Sequence, residues 1–268
     1  MFTRDETFEI AVGGHCIAAT LIVPDTRMPG VLFLHGWGSS QAQLASRARE
    51  IAALGCACLT VDMRGHAKTA TQQATVTRED NLTDALAAYD WLAREPAVDE
   101  DQIAVVGSSY GGYLATILTT LRPVKWLGLR APALYKDSDW TSPKLELRKL
   151  QRLEAYRRMV IEAQDNRALR AATAYRGDVL IVESAHDTII PHEVIENYRN
   201  ALSGARSLTY RVIDGADHGL TDPACRQAYT AILVNWITEM MAGKRTADVA
   251  SQKRLQEVMK TNKSAAAD

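Results

Sequence analysis

The pattern of apolar and polar positions changes character near Gly30. Before it, "FEIAVGGHCIAATLIVP" reads as two strands joined at Gly13-Gly14, a hairpin signal. After it, short continuous apolar runs alternate with segments of helical spacing. The runs are "GVLFLHG", "CACLTVDMRG", "QIAVVGSS", "VKWLGLRAP", "DVLIVES" and "SLTYRVIDG". Between them, "SQAQLASRAREIAALG" stops at Gly55, "REDNLTDALAAYDWLARE" ends before Pro96, and "YLATILTTL" follows the third run. Strands apolar on both faces, alternating with amphipathic helices, predict an α/β fold: a mostly parallel central sheet of about eight strands with helices on both faces. Ligands of such sheets bind beyond the carboxyl ends of the strands.

One insert breaks the alternation, because about 45 residues separate Pro132 from Asp178, too many for an ordinary connection. Its apolar residues Leu147, Leu150, Leu153, Tyr156 and Val160 recur at helical spacing among Lys144, Arg148, Lys149, Arg152, Arg157 and Arg158. This predicts an amphipathic helix with a solvated basic face. It also predicts a small helical cap, over about 136–176, across the sheet edge, with Leu150 and Leu153 facing inward. The expected organisation is one domain over 1–242 and a polar, frayed tail over 243–268.

Composition narrows the partners. The 268 residues carry a formal net charge of -1, which gives no electrostatic footprint for nucleic acid or an anionic membrane and favours a small-molecule substrate. No apolar run reaches the length of a membrane span, and "MFTRDETFEI" does not read as a secretory signal, so the expected location is the cytoplasm. Cys16, Cys56, Cys58 and Cys225 lack metal-binding spacing and are read as buried, reduced thiols, with Cys56 and Cys58 facing the same way. The six histidines form no paired motif, so a structural metal site is not expected.

The candidate chemistry lies in "IAVVGSSYGG". Gly107-Ser108-Ser109-Tyr110-Gly111 fits G-x-S-x-G, and it falls where a buried strand hands over to a helix. A sharp turn there would strain Ser109 and place it at a helix N-terminus, where free N–H groups and the dipole favour developing negative charge. Side chains at 107 or 111 would collide with neighbouring elements. A second glycine-rich segment, "LFLHGWGSS", follows the strand ending at Leu34; the Trp37 and Tyr110 N–H groups are the expected oxyanion donors, with His35 supporting the loop from behind. A dinucleotide fingerprint starting at Gly36-Trp37-Gly38 fails at its third position, Gln41.

Taken together, "HGWG", "DMRGHA", "GSSYGG", "SAHDTIIP" and "GADHGL" resemble, in order and spacing, the α/β-hydrolase superfamily, over Val31 to Leu220. Within it the chain is most similar to small bacterial carboxylesterases, among them cinnamoyl-ester hydrolases, and to prolyl oligopeptidase-type catalytic domains. Ala67 departs from a usual glycine in a structural loop. The resemblance implies a serine hydrolase without metal or cofactor, whose triad runs Ser, then Asp or Glu, then His along the chain. That order removes His15, His35 and His66; His186 adjoins the acid candidate and His192 follows Pro191 at an expected helix start, where a capping or surface role is expected, so His218, flanked by Gly215 and Gly219, is the base. Glu183 and Asp187 compete for the acid. Asp187 is favoured, since it sits in a loop closed by Pro191 and matches the family's acid segment. The expected reaction is cleavage of small soluble esters. A peptidase or thioesterase of the same fold is the alternative, and a non-catalytic ligand-binding protein is the rival of another class. Two further expectations bear on the substrate: a peptidase of the prolyl oligopeptidase type would carry an N-terminal propeller, and a lipase an apolar lid in place of the charged insert.

Overall fold

The computed structural model describes residues 3–24 and 28–243. Strands β1 (Thr3–Val12) and β2 (His15–Pro24) form the expected hairpin, turning through Gly13 and Gly14, both at positive φ. Then come β3 (Met28–Leu34), α1 (Ala42–Ala53), β4 (Ala57–Asp62), α2 (Arg78–Arg94), β5 (Val98–Ser108), α3 (Tyr110–Leu118) and β6 (Trp126–Arg130). After the insert the chain continues through β7 (Asp178–Ser184), α7 (His192–Ala201) and β8 (Ser207–Ile213). A last helix, α8, covers 223–243. Sequence reasoning passes over α8 as an element, although its buried Cys225, Tyr229, Leu233 and Trp236 lie three or four residues apart.

The strands form one eight-stranded sheet in the order β1-β2-β4-β3-β5-β6-β7-β8. The β1–β2 and β2–β4 pairs are antiparallel and every later pair is parallel. This is the α/β-hydrolase architecture that the resemblance implies. Parallel pairing aligns the carboxyl ends: Leu34 stands beside Gly107, Ser108 beside Arg130, and Ser184 beside Ile213. A site built on several strands therefore assembles along one edge. Strands β4, β6 and β7 are buried along their whole length, which is why they read as unbroken apolar runs.

Two apolar layers flank the sheet. One packs α2, α3, α7 and, from the insert, α6 (Arg167–Ala174) against it through residues such as Leu82, Tyr89, Leu114, Leu169 and Tyr198. The other holds α1 and α8 through Leu44, Ile51, Tyr229 and Trp236. Cys56 and Cys58 both enter this second layer, as their two-residue spacing requires. Cys16, by contrast, is exposed beside the hairpin turn, against the expectation that all four thiols are buried. No helix among the described residues is long and apolar enough to cross a membrane.

The insert differs from the single amphipathic helix that its spacing suggests. It is broken into short pieces, α4 (Leu147–Leu150), α5 (Leu153–Arg157) and α6 (Arg167–Ala174), with Arg152 in the left-handed region at φ 46° between the first two. The break separates the apolar positions. Leu147, Leu153 and Tyr156 are buried, whereas Leu150 and Val160 are exposed. Nor is the basic face wholly solvated. Lys144 and Arg157 are buried, the ammonium lying over the rings of Trp37, Tyr110 and Tyr135, and the guanidinium donating to the Leu134 and Ile189 carbonyls. Aromatic faces and backbone oxygens that a helical wheel does not register have drawn these cations inward. The expected tail over 243–268 lies, from 244 on, outside the described residues.

Candidate active site

The turn between β5 and α3 is set by two glycines. A Cβ at Gly107 would lie 2.4 Å from the Gly111 carbonyl oxygen, and one at Gly111 would lie 2.2 Å from the Leu34 oxygen. Only hydrogen fits at either place. The crossing forces Ser109 to φ 52°, ψ -114°, outside the ordinary regions for a side-chain-bearing residue. The strain is held from below: the Ser109 N–H donates to the Arg130 carbonyl at 2.9 Å, and the Ala133 N–H donates to the Ser109 carbonyl at 3.0 Å.

The loop after β8 brings His218 to this serine. Its Nε2 lies 3.1 Å from Ser109 Oγ, and its Nδ1 lies 2.7 Å from Asp187 Oδ2. A carboxylate only accepts, so Nδ1 carries the proton and Nε2 presents its lone pair to the serine hydroxyl. The loop is itself anchored. Arg130, the last residue of β6, donates from Nη2 to Ser184 Oγ at 3.1 Å, to the Asp217 carbonyl at 3.3 Å and to the His218 carbonyl. Asp217 accepts from the Thr221 N–H at 2.8 Å and hydroxyl at 2.6 Å. Sequence reasoning passes over Arg130; the available signal is a charged residue closing a strand that is otherwise apolar.

Asp187 and Glu183, the competing acids, have different partners. Asp187 faces His218 and accepts with its other oxygen from the Ile189 and Ile190 N–H groups at 2.9 and 2.8 Å. Burial alone would raise its carboxyl, but the hydrogen bond and charge of His218 and the two backbone donors outweigh burial and hold it below the ordinary carboxylate range. Glu183 instead accepts from His192 Nδ1 at 2.9 Å and from the Tyr210 hydroxyl. The pleat explains this: Glu183 is the penultimate residue of β7 and points across to β8, whereas Asp187 lies past the strand end in the loop that reaches the serine.

The Gly36–Ser39 loop completes the arrangement. Gly38 turns through φ 77°, and its N–H donates to His66 Nε2 at 3.1 Å. His35, fully buried, donates from Nδ1 to the Gly36 carbonyl at 2.8 Å and accepts the Met63 N–H at Nε2 at 3.2 Å. It supports the loop from behind as expected; His66, set aside on chain order, is a second support. Both rings must be neutral to accept these N–H groups. Burial, reinforced by the neighbouring His66, lowers His35 to about 4, and burial likewise lowers His66. The N–H groups of Trp37 and Tyr110 are spent on no acceptor among the described residues. Their rings pack edge to face at 5.7 Å, with Lys144 Nζ over the Trp37 ring at 4.5 Å.

A cavity of about 600 Å³ opens on Ser109 and His218. Its walls are the Gly36–Ser39 loop, the first turns of α1, the His218 loop and the start of α8. No residue of the insert lines it, so the sheet edge is walled on this side by α1 and α8. No group of three or more His, Cys, Asp or Glu residues among the described residues is placed to hold a metal ion.

Comparison with known proteins agrees with this architecture. The model of the prolyl oligopeptidase family matches residues 42–244, and the chain belongs to that family. An uncharacterised protein of Mycobacterium tuberculosis is 28% identical over 192 residues, covering 71% of this chain and 63% of that one. Dipeptidyl aminopeptidase BIII of Pseudoxanthomonas mexicana is 23% identical over 242 residues, 82% of this chain and 34% of the enzyme. The chain thus spans less than two thirds of these relatives. Among solved structures, Est1E of Butyrivibrio proteoclasticus superposes with a TM-score of 0.67 at 18% identity, over 88% of this chain and 99% of that one. The dienelactone hydrolase of Anabaena variabilis gives 0.65 at 19%, over 88% and 98%. At such identities the likeness is one of fold. The chain is a hydrolase-family protein of the α/β-hydrolase superfamily.

Proposed function

We propose that this member of the prolyl oligopeptidase family is a serine hydrolase that cleaves carboxylic esters of small molecules through an acyl-enzyme. The carrying observation is the unbroken run of contacts from Asp187 through His218 to Ser109 Oγ, at 2.7 and 3.1 Å. His218 Nε2 takes the hydroxyl proton as Oγ attacks the carbonyl carbon, and Asp187 stabilises the imidazolium that results. The carbonyl oxygen, now negative, is held by the Trp37 and Tyr110 N–H groups, whose donors point at no other acceptor. The tetrahedral intermediate expels the alcohol, which receives the proton from Nε2. Water then enters, gives its proton to Nε2, attacks the acyl carbon and releases the acid, and the proton returns to Oγ. Each proton and electron pair is carried by these side chains and water, so no cofactor is called for.

A second reading keeps the site and changes the scissile bond. The family, and a relative named as a dipeptidyl aminopeptidase, favour an amide. One experiment addresses both. The protein is treated with a fluorophosphonate probe and then assayed against aryl esters, alkyl esters, a thioester and aminoacyl arylamides. Ser109 is the expected site of labelling, with esters turned over faster than arylamides. A folded protein that resists the probe overturns the enzyme reading, and faster arylamide cleavage moves the function to a peptidase.

A further inference from the structure

Resting on the serine hydrolase reading, we infer that the cavity beside Ser109 takes a substrate carrying a carboxylate, held by Arg47 and Arg130 with Arg226 at the rim. All three line the cavity that holds Ser109 and His218. Arg47 is 9% exposed and Arg130 6%, so both guanidinium groups are largely removed from bulk water. Arg130 makes every one of its hydrogen bonds through Nη2, and its Nε is buried with no acceptor. Arg47 spends only Nε, on Thr230 Oγ1 at 3.3 Å, and stacks its guanidinium over the Tyr229 ring at 4.3 Å. Arg226 donates from Nη1 alone, to the Leu220 and Thr221 carbonyls.

No carboxylate comes within ion-pair distance of any of the three among the described residues. The acids that bear on Arg130 have other partners, Asp187 with His218 and Asp217 with Thr221. Glu50, which bears on Arg47, is exposed on the outer face of α1. Buried cations without counter-ions are unfavourable unless something completes them. Here Arg130 Nε is closed off within the protein, whereas the residues that carry the unspent Nη donors line the cavity that holds the nucleophile. A planar oxyanion of the substrate fits them, because a guanidinium offers paired N–H groups to two oxygens at once. The apolar side of the same cavity, Leu44 and the Tyr229 ring, suits the short carbon stem joining that carboxylate to the ester. Neutral esters would leave the donors unanswered, and the site thus selects by charge.

Two pairs of near-isosteric esters test this and separate the two places the carboxylate can occupy. On the acyl side, the para-nitrophenyl monoester of glutaric acid is compared with para-nitrophenyl valerate. On the leaving-group side, para-acetoxybenzoate is compared with para-acetoxybenzamide. Each kcat/KM is divided by the ester's own hydroxide-catalysed rate constant, which leaves out intramolecular attack by the glutarate carboxylate. The charged member is expected to lead by about tenfold or more in one pair, the contribution of about one charge-assisted hydrogen bond. In Arg47→Gln that ratio should fall about tenfold, with part of it restored in Arg47→Lys, and in Arg226→Gln by only about twofold, since an exposed pair contributes little. Because both esters meet the same preparation, a partly unfolded variant does not alter the ratio. Absence of a charged-member lead in both pairs, or a lead that Arg47→Gln leaves unchanged, overturns the inference. If no ester is turned over, the esterase reading fails, with labelling by the fluorophosphonate probe still deciding whether the protein is a serine hydrolase, and calorimetric binding of glutarate decides the anion site. A Kd near or below about 1 mM that is lost in Arg47→Gln supports it, and absence of saturable binding overturns it.

Discussion

Acidification should weaken the fold from about pH 6.5 downward, and His35, which braces the Gly36–Ser39 loop, sets the size of the effect. In the folded protein His35 titrates at about 4, against 6.5 for an unperturbed histidine. Its folded pKa is depressed, so the unfolded chain binds this proton first as pH falls. The neutral ring's contribution is complete above about pH 6.5 and is lost as pH drops through about 4. At roughly 1.4 kcal/mol for each pH unit, that window removes about 3 kcal/mol, a large share of the 5–15 kcal/mol typical of a domain. His66 acts in the same direction, since burial lowers it too. Asp187, held below its ordinary range, begins to contribute only under more acidic conditions. The structural reason is specific: a proton on His35 Nε2 would face the Met63 N–H, and one on His66 Nε2 would face the Gly38 N–H. Urea unfolding between pH 7 and 4.5 measures the slope, and His35→Gln, which keeps an acceptor but does not titrate, supplies the comparison. The variant should lose close to one proton's worth of that slope. Equal slopes in the two proteins would refute the assignment of acid sensitivity to this ring.

The remaining expectations concern the nucleophile, the acid and the insert. Ser109→Ala should lower kcat on the order of 10⁴ to 10⁶ while Ser108→Ala keeps most activity; comparable losses in steady-state ester assays would count against the turn's role. Asp187→Asn should lower kcat by about 10⁴, since the imidazole then settles in the wrong tautomer. Glu183→Gln, which disturbs only the His192 and Tyr210 contacts, should do far less. In thermal unfolding, Leu147→Ala should cost about 2–5 kcal/mol and the exposed Leu150→Ala less than about 0.5 kcal/mol. The reverse order would mean that α4 packs on its other face.

Much of the fold was legible because period and punctuation act locally. Unbroken apolar runs mark strands buried on both faces, and Gly13-Gly14, Gly55 and Pro96 end elements by constraints that do not depend on distant residues. The same holds for Gly107 and Gly111, whose missing side chains declare a crossing of backbones before the partner strand is known. Proximity along the chain told less. Glu183 and Asp187 are four residues apart, and what separates their roles is the pleat of β7 and the neighbour across it, Tyr210, which no spacing records. The insert misled for a related reason. Its leucines keep a helical period, but Lys144 and Arg157 lie against aromatic faces and carbonyls contributed by the loops after β3 and β6 and before α7, and the chain breaks at Arg152 between α4 and α5. Arg47, Arg130 and Arg226 lie 83 and 96 residues apart along the chain, and nothing in sequence joins them. Local sterics, written residue by residue, fixed the strands and the strained serine; the charge of the cavity depends on burial and on the absence of nearby counter-ions, which arise only when distant segments close on one another.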